Sequence, residues 1–67
     1  MNYNPPGVGD KIRMAIKSSG LTDREIHERS GLSIQAINSY RNGHRMPSAG
    51  SLIKLAKGLR VPIGDLL

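Results

Sequence analysis

The chain has 67 residues, room for one domain, and a domain of this size buries only about 60% of its unfolded surface. It has no cysteine and only His27 and His44 as imidazoles, so neither disulfide nor metal staples are available and an aliphatic core must supply stability. Its only aromatic residues are Tyr3 and Tyr40, which argues against stacking platforms for unpaired bases, and no apolar run approaches the ~20 residues of a membrane span.

Net charge is +5, and its layout is uneven. The carboxylates are Asp10, Asp23, Glu25, Glu28 and Asp65. None lies between Arg29 and Gly64, a stretch that carries Arg41, Arg45, Lys54, Lys57 and Arg60. Such a one-signed segment either attracts polyanions or is a solvated basic surface. Residues 1–6 do not read as a secretory signal, since no basic stretch precedes an apolar one. Lack of cysteine fits a reducing compartment, and the expected location is the cytoplasm.

In chain order, residues 1–8 hold two asparagines and a Pro-Pro pair with no helical period and are expected to form a flexible tail. The domain is expected over 9–67. A first helix should start at Gly9 or Asp10 and run to Ser19, with Ile12, Ala15 and Ile16 as its buried stripe. Thr22-Asp-Arg-Glu25 is a capping box for the second helix, and Leu21 with Ile26 is placed to staple across it. That helix should stop at Ser30, because Gly31 suits a left-handed cap. Ser33 caps the third helix, expected over 33–42, whose inward face is Ile37 and Tyr40 with Ala36 flanking. The link Ser30-Gly31-Leu32 is very short and contains Gly, as in helix-turn-helix units. After a polar loop, Ser48 caps a fourth helix built on Leu52, Leu55, Ala56 and Leu59, with Gly58 weakening its last turn. Val61-Pro62 opens a short fifth helix through Leu67. The fold class is all-α: five short helices in a compact orthogonal bundle.

Outward on the third helix, Gln35, Asn38, Ser39 and Asn42 form one stripe at i, i+3, i+4, i+7. Asn and Ser are mediocre helix formers, so selection for stability alone favours Glu, Lys or Arg there. Amides and hydroxyls suit base edges: Gln and Asn pair bidentately with adenine, and Ser bonds several edges. An ordinary solvated face is the plainer alternative. Ser33 sits at the helix N-terminus, where amides favour an anion. Arg41, Asn42, Gly43, His44 and Arg45 form a positive loop at the other end, suited to phosphates.

The run from Leu21 to Gly43, followed by Arg45-Met-Pro-Ser48, resembles the Cro/repressor type of helix-turn-helix domain, the lambda-repressor-like fold. Leu52-Ile-Lys-Leu-Ala56 and the stretch from Leu59 to Leu66 resemble that family's last two helices. The likeness covers about residues 8–67. It implies sequence-specific binding of double-stranded DNA, normally as a homodimer on a palindromic operator, and a transcriptional repressor or regulator of phage or bacterial type. It places Gln35, Ala36 and Ser39 at base-reading positions with Ile34 and Asn38 beside them, and Asn42-Gly43 in the phosphate-contacting turn. Three departures from the family pattern stand out. Asp23 stands where a phosphate-binding Gln is common, and His27 where a small residue is usual. Ile16 and Arg41 replace an Arg–Glu pair, which is expected to leave Arg41 free for DNA. No cofactor, metal, membrane or small-molecule substrate is expected, and no set of residues suggests an enzyme. Two other readings compete: a protein-interaction module with a degenerate helix-turn-helix, and a non-specific DNA-associating domain.

Overall fold

The structure, a computed structural model, describes residues 8–67. Among the described residues there are four α-helices: α1 Val8–Ser19, α2 Asp23–Ser30, α3 Ile34–Arg41 and α4 Ala49–Leu59. A single 3-10 turn, Ile63–Leu66, follows them. There is no strand among the described residues, so the all-helical class holds. The expected tail falls, apart from Val8, outside the described residues, and α1 takes Val8 as its first residue.

Helices α2, α3 and α4 each start where a hydroxyl stands ready to accept from an orphan amide. Thr22 accepts from the Glu25 amide at 3.1 Å while the Glu25 carboxylate accepts from the Thr22 amide at 2.9 Å, completing the capping box. The Thr22 amide, then the Thr22 hydroxyl, and the charge of Arg29 hold the Glu25 carboxyl below its ordinary range against a small opposing effect of burial. Ser33 and Ser48 accept from Ala36 and Ser51 in the same way. α2 ends at Gly31 in the left-handed conformation (φ 79°), with its amide donating to the His27 carbonyl at 2.9 Å.

The expected fifth helix is reduced to a 3-10 turn. Pro62 stays extended (ψ 142°), which leaves four residues to coil, and i→i+3 bonds such as Asp65 amide to Pro62 carbonyl (2.9 Å) close so short a piece.

Ile12, Ile16, Ile26, Ile37, Leu55 and Leu66 are fully buried, one or two from every element, so the helices share one core. Leu32, Ala36, Tyr40, Leu52, Ala56 and Leu59 complete it. α2 rests chiefly on α4, and Gly58 is the reason they come so close. A Cβ at Gly58 would lie 2.8 Å from the Cβ of Ser30 and 3.3 Å from its amide nitrogen. Gly58 therefore gives up helix propensity for a close helix crossing.

His27 is exposed at the edge rather than wedged between α2 and α3. Its Nδ1 lies 2.6 Å from the Leu32 carbonyl, and since a carbonyl only accepts, Nδ1 carries the proton. The imidazole thus braces the three-residue link. Among the described residues no helix is long and apolar enough to cross a membrane.

Candidate nucleic-acid interface

The site is built on α3, held from behind by its apolar side. Ile37 and Tyr40 are buried and pin the helix to the core, which turns Gln35, Asn38 and Asn42 outward into solvent. Ser39 is half-buried at the margin of that face, and Ile34 is 44% exposed at its start. Ala36 is a correction: at 8% exposed it belongs to the core cluster, because its position beside Ile37 falls on the inward side of the helix.

At the N-terminus of α3 the Ser33 hydroxyl is spent on the Ala36 amide. That leaves the amides of Ile34 and Gln35 at the helix end, where the dipole favours an anion. At the C-terminus the chain folds back on itself. The His44 amide donates to the Ser39 carbonyl at 2.9 Å and the Gly43 amide to the Tyr40 carbonyl at 3.3 Å. Gly43 has φ 76°, a conformation that favours glycine, and the side chains of His44 and Arg45 project from this turn into solvent.

Arg41 is the second correction. Its Nε donates to Asp23 Oδ1 at 2.8 Å and its Nη2 to the Leu21 carbonyl at 3.1 Å, so the side chain is folded against the start of α2 instead of reaching freely outward. The other carboxylate oxygen, Asp23 Oδ2, accepts from Asn38 Nδ2 at 3.4 Å, and Asn42 Nδ2 donates to Asn38 Oδ1 at 3.2 Å. A connected polar strip thus runs from α2 along α3. Asp23 carries no uncompensated negative charge toward a polyanion, since Arg41 lies against it.

Residues that the sequence reading left out also border the site. Arg13 of α1 is ion-paired with Asp10 and lies over the α3 turn, where a Cβ at Gly43 would come within 3.2 Å of its Nη1. With Met14 and Lys17 it lines an open cleft closed on the far side by Arg41 and Asn42. Lys17 sits i+4 from Arg13, a visible helix-face signal. The approach of α1 to Gly43 has no signature in the sequence.

The helix-turn-helix fold agrees with comparisons to known proteins. A helix-turn-helix family model, of the Cro/repressor type, matches residues 12–66. The chain belongs to that family. The matched span begins within α1 and runs to the end of the final turn, so it takes in the helix-turn-helix of α2 and α3 together with α4. This helix-turn-helix family is one of DNA-binding transcription regulators. A curated relative, the uncharacterized HTH-type transcriptional regulator y4dJ of Sinorhizobium fredii, is 37% identical over 60 residues, covering 90% of this chain and 78% of the relative. No solved structure matches.

Proposed function

We propose that this helix-turn-helix domain is a sequence-specific regulator of phage or bacterial type that represses transcription by occupying a palindromic operator as a homodimer. α3 enters the major groove as the second helix of such a unit does. Gln35, Asn38 and Ser39 bond base edges, and Ile34 offers an apolar contact to a thymine methyl. The α3 amides behind Ser33 take one phosphate. The turn Asn42-Gly43-His44 with Arg45 takes another, which sets the register of the helix along the duplex.

The observation that carries this reading is the exposed face of α3. It presents Gln35, Asn38 and Asn42, uncharged and bonding-competent, between two phosphate-suited ends. The pairing of Asp23 with Arg41 removes the main objection, a bare carboxylate facing the backbone of DNA.

Selection of duplexes from a random pool at about 150 mM salt, where non-specific phosphate binding is weak, tests the proposal. A recovered palindrome with half-sites about one helical turn apart supports a dimeric reader. A single half-site keeps the sequence reading and removes the homodimer. Binding with a steep salt slope and no enriched sequence replaces specific reading with non-specific association, and no binding at all refutes the proposal.

A further inference from the structure

Asp23, the acidic residue at the first position of α2, touches the reading helix with both of its oxygens. We propose that Asp23 is a positioning residue for DNA recognition, fixing the side-chain amide of Asn38 in one orientation and keeping Arg41 off the phosphates; this rests on the reading of α3 as the groove helix.

The argument starts with the ambiguity of an asparagine. Its amide has a donor end and an acceptor end, and rotation by half a turn about its last bond exchanges them. An exposed Asn therefore offers DNA two opposite bonding patterns and loses freedom when it settles on one. In this protein Asp23 opposes the exchange. Its Oδ2 can only accept and faces Asn38 Nδ2 at 3.4 Å, whereas Asn42, whose Nδ2 donates to Asn38 Oδ1 at 3.2 Å, can turn its own amide to follow and so takes its direction from Asn38. Swapping the ends of Asn38 would set a carboxylate oxygen against an amide oxygen.

Asp23 itself is held. It is mostly buried (21% side-chain exposure), and its Oδ1 is fixed by Arg41, which is in turn anchored on the Leu21 carbonyl. One N–H and one lone pair of Asn38 remain for a base. Adenine needs that pair in a defined order along its edge. The pre-set amide thus favours one orientation of an A·T pair over the other. The same carboxylate restrains the nearest cation, whose release would add affinity for any sequence.

These two roles give Asp23→Ala an unusual signature. Removing one negative charge and freeing Arg41 should strengthen binding to random duplex and steepen its salt dependence. Freeing Asn38 should lower the preference at a single base pair, by roughly threefold to tenfold, a fraction of what a full bidentate contact discriminates. A merely structural role for Asp23 would weaken all sequences alike, and simple phosphate repulsion would strengthen all alike.

The test measures affinities of wild type, Asp23→Ala, Asn38→Ala and the double variant for the selected site, its single-base variants and random duplex. Melting by circular dichroism reports folding of each. The expected result is that Asp23→Ala and Asn38→Ala flatten preference at the same base pair, and that the double variant is no flatter than Asn38→Ala alone. Unchanged preference in Asp23→Ala, or additive losses at different base pairs, overturns the inference while leaving the sequence-reading function intact. If wild type itself shows no preferred site, the function falls and the inference with it. Should Asp23→Ala melt too low to assay, Asp23→Asn and Arg41→Gln carry the same comparison. Arg41→Gln is expected to keep the base preference that Asp23→Asn, free to flip with Asn38, loses.

Discussion

Replacing Gly58 by alanine sets two effects of known size against each other. In an isolated helix the change gains about 1 kcal/mol, because alanine loses less backbone entropy than glycine. In this fold the new methyl would sit 2.8 Å from the Ser30 Cβ, well inside ordinary contact. It would also lie 3.3 Å and 3.4 Å from the Ser30 amide nitrogen and Cα. Those are backbone and first side-chain atoms, so no rotamer change relieves the overlap and α2 must shift away from α4. Overpacking of this kind costs about 1–3 kcal/mol, and the absence of a flexible partner puts Gly58→Ala in the upper part of that range. The net effect is a loss of about 1–2 kcal/mol. For a domain this small that lowers Tm by roughly 5–15 °C in a circular-dichroism melt. Ser30→Ala, which keeps the Cβ, should not rescue it, whereas Ser30→Gly should recover part of the loss. A Gly58→Ala protein more stable than wild type would show that propensity wins and that the α2–α4 crossing is not set by the missing side chain.

The backbone at the end of α4 offers a change in the opposite direction. Arg60 caps it with φ 59° and ψ 42°, a left-handed conformation disfavoured for residues with a Cβ, so Arg60→Gly should stabilise by about 1 kcal/mol in urea titration. The capping box predicts a pH dependence. Because Glu25 is held below its ordinary pKa, its contribution is complete above the unfolded value and disappears as pH falls through the lowered one. Glu25→Gln, which keeps the acceptor but not the charge, should therefore melt lower than wild type at neutral pH and converge toward it in acid; a gap constant with pH contradicts this. On DNA, Gln35→Ala should cost about 1–3 kcal/mol on the selected site and relax one base position. Arg45→Ala should weaken all sequences similarly and flatten the salt slope by about one unit. Equal losses on selected and random duplex for both variants would erase the division between base reading and phosphate positioning.

Local physics made much of this protein legible before its fold was known. Caps depend on residues three apart, as with Thr22 and Glu25 or Ser33 and Ala36, so the starts of α2, α3 and α4 were readable directly. Helical periodicity likewise marked Ile12, Ile16, Ile37, Leu52 and Leu55 as core and turned Gln35, Asn38 and Asn42 outward. Tertiary structure decided what depends on residues brought together from far along the chain. Periodicity left Ala36 on the margin between two faces, and only the packed neighbours assigned it to the core. Gly58 read as a weak spot in a helix until Ser30 was placed against it. Asp23 and Arg41, 18 positions apart, each read as a departure from the family pattern, one in place of a phosphate-binding Gln and one free to meet DNA. Folding sets them 2.8 Å apart, where opposite charges satisfy each other before either meets a phosphate.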